Sequence, residues 1–213
     1  MNIFEQGLLK YLSSDQLKKI QSVKVGIGGA GGLGSNVAMM LVRTGFIHLE
    51  ILDFDCVEAS NLNRQQYFID EINQPKVDVL KKRLLQINPD LKLNTHQIKW
   101  SPEIGDQFFP EADFIIEAFD QVDWKYKFVE YYQDKVKYLV SGNGMAGLTK
   151  KEPLKIRRVG NIYLAGDGTT NSHEGHPPMA PRVTACAAMM AEIVLDLALE
   201  IPLRSIFREQ IRT

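Results

Sequence analysis

The sequence predicts an α/β fold: a mostly parallel sheet with helices on both faces and a short antiparallel C-terminal extension. Three observations carry this. Short apolar runs bounded by turn residues alternate with longer helical patterns, a glycine-rich turn joins the first strand to the first long helix, and the alternation breaks down after Gly142. With 213 residues, 45% of them hydrophobic, one large domain is the expected organisation over residues 1–213. Within it, 1–22 form a helical N-terminal segment, 23–141 the core, and 142–213 antiparallel strands, a loop and C-terminal helices.

The elements follow in chain order. Val23 to Ile27 is a short buried strand, and after the glycines Leu33 to Thr44 is a helix. Ile47 to Asp53 is a second strand. Asp55 to Asp70 is polar and irregular, then a helix runs from Pro75, a residue suited to a first helical turn, to about Asn88. Leu91 to Ile98 alternates as a third strand, Asp113 to Ala118 is an apolar fourth, Gln121 to Gln133 a helix and Val136 to Ser141 a fifth strand. Lys155 to Val159 and Asn161 to Ala165 read as an antiparallel pair turning at Gly160. Val183 to Leu199 is a mostly buried helix with one solvated stripe at Glu192 and Asp196. In the tail, Leu203, Phe207 and Ile211 share a helical stripe.

Composition argues against several classes. Lys+Arg total 25 against 26 Asp+Glu, so there is no overall basic field, and nucleic acid is a poor first expectation. Two isolated cysteines, Cys56 and Cys186, offer neither a disulfide framework nor a CxxC pair, so no zinc site is expected and a reducing cytoplasm fits. No signal-peptide pattern opens the chain, and no run reaches the roughly 18 apolar residues that span a bilayer.

Of 16 glycines, Gly26, Gly28, Gly29, Gly31, Gly32 and Gly34 crowd into one short stretch. Gly29, Gly31 and Gly34 match G-x-G-x-x-G between a strand and a helix, which lets backbone approach a phosphate at a helix N-terminus. Asp53 ends the next strand, where an acidic side chain accepts hydrogen bonds from an adenosine ribose. This Rossmann-like pattern implies a nucleotide and leaves NAD and ATP open.

The segment from Asp53 to Gln65 has the form D-x-D-x-V-x-x-S-N-L-x-R-Q. Gln74, Pro75 and Lys76 follow at a helix start, and Asp120 follows a strand. Hydride transfer needs none of these. In combination they resemble the ThiF/MoeB/HesA group of sulfur-carrier adenylyltransferases, related to the adenylation domains of ubiquitin-activating enzymes, over most of residues 15–200. The resemblance implies ATP as co-substrate and a site of Gly29, Gly31, Gly32, Gly34, Asp53, Asp55, Asn61, Arg64, Gln65, Lys76 and Asp120. Asp53 would bind the ribose, Asn61, Arg64 and Lys76 would surround the phosphates, and Asp120 would hold Mg²⁺ or position the triphosphate. Arg64, Lys76 and Asp120 are the expected catalytic residues, because transfer of a carboxylate to the α-phosphorus needs fixed cations rather than a general base.

The acceptor implied is a small ubiquitin-like sulfur carrier ending in Gly-Gly, ThiS-like, in thiamine thiazole synthesis, with a homodimer as the assembly. Related enzymes that activate a carboxylate on modified tRNA, the threonylcarbamoyladenosine dehydratases, form the alternative, and a non-catalytic nucleotide-binding module a third. The chain departs from the family pattern in lacking two CxxC pairs and in having no arginine before Arg43. Cys186 reads as buried and inert, Cys56 as a loop residue without a catalytic role. His173, Glu174 and His176 have a spacing that could ligate metal, but the prolines that follow and the Gly-rich context favour a solvated loop.

Overall fold

The computed structural model describes residues 1–146, 152–170 and 177–203, together with the backbone of 206–207. Eight strands form one sheet in the order β3-β2-β1-β4-β5-β7-β6-β8. Their bounds are β1 Lys24–Gly28, β2 His48–Asp53, β3 Lys92–Gln97, β4 Phe114–Glu117, β5 Tyr138–Gly142, β6 Lys155–Val159, β7 Ile162–Gly166 and β8 Ile206–Phe207. Strands β1 to β5 and β7 run parallel, and β6 is antiparallel to β7. The hairpin turns at Gly160, where φ of +60° suits a residue without Cβ.

Side chains alternate across the strands with period two. Val25, Ile27, Leu49, Ile51, Phe114 and Ile116 join one core with α3 (Gly32–Thr44), α4 (Lys76–Ile87) and α6 (Ala180–Ala198). Leu52, Ile115 and Leu139 point to the other face, where Trp100, Phe109 and Tyr132 surround Phe128 of α5 (Val122–Tyr132) and Phe108 packs beside Phe109. The aromatic face explains two of the crowded glycines. A Cβ on Gly26 would lie 2.5 Å from the Phe109 ring, and one on Gly28 2.6 Å from the Phe128 ring. These glycines make room for a second core rather than for a ligand.

At the N-terminus, α1 (Ile3–Leu8) and α2 (Ser14–Ser22) each open with a capping box, from Asn2 with Glu5 and from Ser13 with Gln16. Leu17 and Ile20 of α2 are buried against the body.

The expected tail helix differs from what the structure shows at Ile206 and Phe207. These pair parallel with β6, Ile156 opposite Ile206 and Arg157 opposite Phe207. Without them β6 would be an edge, and its unpaired backbone groups select a strand over the helical spacing of Leu203, Phe207 and Ile211. Ile211 lies outside the described residues. No helix among the described residues is long and apolar enough to cross a membrane.

Candidate active site

Strand order reverses at β1: β2 and β3 lie to one side, β4 and β5 to the other. In a parallel α/β sheet the crevice at the carboxyl ends of such strands is where ligands bind. A cavity of about 340 Å³ occupies this place, walled by the turns after β1, β2, β4, β5 and β7.

The first wall is the glycine turn. Gly29 has φ of +99°, and a Cβ there would sit 2.8 Å from the Ala118 carbonyl oxygen. The peptide of Ala30 is held from both ends: its N–H donates to Asp53 Oδ2 at 2.6 Å, and its carbonyl accepts from the Tyr67 hydroxyl at 2.7 Å. Gly31 is the N-cap of α3 and makes no side-chain cap bond, so the helix N-terminus is presented bare to the cavity that Gly31 and Gly32 line. Such an end attracts an anion. Gly34 stands behind this wall, where a Cβ would come within 1.8 Å of the Gly29 carbonyl oxygen. Its smallness serves helix-to-turn packing.

Asp53 lines the cavity with 7% exposure, and its other oxygen accepts from the Asp55 N–H at 2.8 Å. Burial pushes its carboxyl above the usual range, and the Lys76 charge opposes that shift. Lys76 is itself buried, its Nζ 2.7 Å from Asp55 Oδ2, so it is an inward-facing cation rather than a solvated first-turn residue. The irregular segment between them doubles back on itself, with Val57 N–H on the Gln74 carbonyl and Lys76 N–H on the Asp55 carbonyl.

Arg64 reaches the same cavity from the segment just after the short helical turn Ala59–Asn61. Asn36 of α3 fixes the loop by donating to the Arg64 carbonyl at 2.9 Å. One guanidinium nitrogen is held by the Ser60 carbonyl and Asn63. Burial lowers the Arg64 pKa, and the charge of Asp120 resists this. Arg64 makes no pair with Asp70 or Glu71, since Glu71 takes Arg83 at 2.8 Å. Gln65 presents a buried Oε1 with no hydrogen-bond partner on this wall, an acceptor available to a ligand. Asn61 is not on the wall: its Oδ1 accepts from the Glu58 N–H and its amide nitrogen donates to Ser60. Asp120 is exposed at the cavity and does not cap α5, whose N-cap is Gln121.

The structure therefore gathers Gly29, Gly31, Gly32, Asp53, Asp55, Arg64, Gln65, Lys76 and Asp120 around one cavity, and sets Gly34 and Asn61 behind it. It also adds residues that sequence reasoning missed. Tyr67 pins the turn. Glu117, fully buried at the end of β4, accepts from Phe119 N–H at 2.7 Å, Ser141 Oγ at 2.6 Å and Lys125 Nζ. Asp167 accepts from Thr169 N–H and Thr170 N–H, both at 2.8 Å, and pairs with Arg182. Burial alone would raise the Asp167 carboxyl, but these donors hold it well below the usual carboxylate range. The only signal for Glu117 and Asp167 in the sequence was their position at strand ends, and Tyr67 had none.

Cys186 is fully buried, its Sγ 3.2 Å from the Ala165 carbonyl oxygen, and burial pushes its thiol up to about 12. Cys56 is exposed beside the Asp55 turn. His173, Glu174 and His176 lie outside the described residues. Among the described residues no group of three His, Cys, Asp or Glu side chains could hold a metal by itself. A single open carboxylate such as Asp120 nonetheless fits Mg²⁺, which is commonly bound through one or two carboxylates together with substrate phosphates.

The ThiF family model matches residues 5–208. The chain is 30% identical over 159 residues to tRNA threonylcarbamoyladenosine dehydratase 2 of Saccharomyces cerevisiae, covering 72% of this chain and 35% of that protein. It is 28% identical over 154 residues to the tRNA threonylcarbamoyladenosine dehydratase of Bacillus subtilis, covering 71% and 61%. With the sulfur carrier protein ThiS adenylyltransferase of Escherichia coli it shares 35% over 123 residues, covering 57% and 49%. It thus spans less than two thirds of each of these relatives. The crystal structure of E. coli tRNA N6-threonylcarbamoyladenosine dehydratase in complex with AMP superposes with a TM-score of 0.81 at 18% identity, over 92% of this chain and 93% of that one, a likeness of fold. The chain belongs to the ThiF family.

Proposed function

We propose that this chain is an ATP-dependent adenylyltransferase that activates a carboxylate, and that the carboxylate belongs to a threonylcarbamoyl group on modified tRNA. The observation that carries the chemistry is the cavity in which a bare helix N-terminus, buried Lys76 and Arg64 face Asp120. The acceptor oxygen attacks the α-phosphorus, the bond to the bridging oxygen breaks, and pyrophosphate leaves. Negative charge grows on phosphate oxygens throughout, and cations fixed beforehand stabilise it without reorganising. The carboxylate is already ionised, so no base is required.

Asp120 would hold Mg²⁺, which when bound neutralises phosphate charge. The ribose would hydrogen-bond to Asp53, whose orientation is set by Ala30 and Asp55. An acyl adenylate is also a means of removing water. A nucleophile within the same acceptor displaces AMP, so the carboxylate oxygen departs on phosphorus, which accords with the dehydratase relatives.

The sequence alone put a ThiS-like carrier first. The extent of the matches favours the RNA acceptor, since the two dehydratases align over 72% and 71% of the chain and the ThiS enzyme over 57%. The carrier remains the second reading because the identity there is 35%. Pyrophosphate exchange into ATP, measured separately with tRNA bearing threonylcarbamoyladenosine and with a carrier ending in Gly-Gly, decides between them. Exchange only with the carrier overturns the RNA reading, and binding of ATP without exchange to either leaves a nucleotide-binding module. We retain the homodimer in this reading: Phe68 covers Arg83 at 3.7 Å, Phe4 shares a surface groove with Arg83, and the neighbouring Ile3 and Ile69 are exposed. A monomer in sedimentation equilibrium would remove it.

A further inference from the structure

Lys125 and Glu117 form an ion pair with one sealed side and one open side. Glu117 has no exposed side-chain surface and is saturated by Phe119 N–H, Ser141 Oγ and the Lys125 ammonium. Lys125 keeps 23% of its side chain exposed and lines the cavity, one turn into α5 beyond Asp120. Its Nζ also donates to the Gly142 carbonyl at 3.0 Å. An ammonium has three N–H donors, and these two bonds leave a third at a cavity wall.

Stability does not account for the pair. Desolvating two charges offsets most of their attraction, and apolar side chains of similar volume commonly do as well or better. The asymmetry assigns a direction instead: the buried carboxylate anchors the ammonium, and the ammonium faces the ligand space. By the same contacts Glu117 joins the end of β4, the turn carrying Asp120 and the end of β5, so the cation is held in register with Asp120. On the opposite wall Lys76 shares its charge with Asp55, whose side chain is 44% exposed.

We propose that Lys125 binds an anionic oxygen of a substrate, a phosphate or the acceptor carboxylate, and that Glu117 is its positioning residue. The inference rests on the adenylation reading and adds a cation on the β5 side of the cavity. An adenylation site brings two anions together, and Lys76 with Arg64 flank only the β1–β2 side.

The test uses this chain with Lys125→Met, Lys125→Gln, Lys125→Arg and the double variant Lys125→Met with Glu117→Gln. The double variant removes both charges and so leaves no buried ion unpaired, and the amide of Lys125→Gln still donates to Glu117. Thermal unfolding, calorimetric titration with ATP, and the KM for the tRNA acceptor in pyrophosphate exchange are measured on each. The double variant is expected to unfold near the wild-type temperature and still to lose tenfold or more. A loss in ATP affinity identifies the phosphate, a rise in acceptor KM at unchanged ATP affinity the carboxylate. Lys125→Gln should show the same loss, and Lys125→Arg should recover part of it. Wild-type ATP affinity and acceptor KM in both the double variant and Lys125→Gln would overturn the role of Lys125 alone. A wild-type chain that binds no ATP overturns the adenylation reading and this inference with it.

Discussion

The two ends of the cavity are built differently. At the β1–β2 end most ties run to backbone, Asp53 to the N–H groups of Ala30 and Asp55 and Tyr67 to the Ala30 carbonyl, while Lys76 pairs with the Asp55 side chain. At the β4–β5–β7 end side chains from separate elements meet one another, Glu117 with Lys125 and Ser141, Asp167 with Arg182. The first end is carried by one continuous stretch, residues 29–76, from the end of β1 through α3, β2, the loop after it and the start of α4. The second exists only once β4, β5, β7, α5 and α6 have packed.

Asp120, at the junction, carries the largest expected effect. Asp120→Ala should lower pyrophosphate exchange by about 10²–10³-fold, the range for removing one group preorganised toward developing charge, with unchanged thermal unfolding because the side chain is exposed. Arg64→Ala should fall in the same range. An exchange rate within twofold of wild type in both would break the assignment of the β1–β2 end.

The glycines sharpen the contrast next. Gly34→Ala forces a Cβ against the Gly29 carbonyl oxygen and should destabilise the fold by about 3 kcal/mol or more. At Gly31 the nearest atom to an added Cβ is Gln65 Nε2 at 3.8 Å, so Gly31→Ala should cost about 1 kcal/mol or less in stability. It should instead weaken ATP binding, since the methyl enters the cavity. Equal stability losses in urea unfolding would show that Gly31, too, serves packing.

Asp167 tests the second end. Its native carboxyl titrates below the usual value, so its ionised form stabilises the fold above about pH 4, the unfolded value, and that contribution is lost as pH falls below it. Asp167→Asn should therefore cost about 2 kcal/mol at pH 7, and the difference from wild type should shrink as pH is lowered through that window. A difference that is constant from pH 7 to pH 3 would mean that charge is not what Asp167 contributes.

The cysteines give the smallest effect. At pH 8 Cys56 should react with iodoacetamide and Cys186 should not, given its complete burial and a thiol raised to about 12. Labelling of Cys56 should leave exchange unchanged, and loss of exchange would bring this cysteine into the chemistry.

What could be read in the sequence follows the same division. The β1–β2 end was legible because its spacing is local: a glycine turn, an acid at the next strand end, and a block from Asp53 to Lys76 whose residues act within one loop. Even there the glycine cluster mixed three purposes, since Gly26 and Gly28 yield to aromatic rings, Gly34 to a carbonyl oxygen, and Gly29, Gly31 and Gly32 alone border the cavity. Asn61 fits the family block, yet its amide is used within its own turn. The Glu117–Lys125 pair was not legible, because a glutamate ending an apolar strand and a lysine on an amphipathic helix each look like solvated residues until the sheet brings Ser141 beside them. The strand at Ile206–Phe207 was missed for a similar reason. Its partner is the open edge of β6, and nothing in the spacing of the tail announces that edge.

Pyrophosphate exchange into ATP by the full chain, with tRNA bearing threonylcarbamoyladenosine as the only acceptor, tests the central claim most directly. The expected result is acceptor-dependent exchange that Asp120→Ala lowers by about 10²–10³-fold. No exchange with any carboxylate acceptor, together with binding of NAD in preference to ATP, would contradict it.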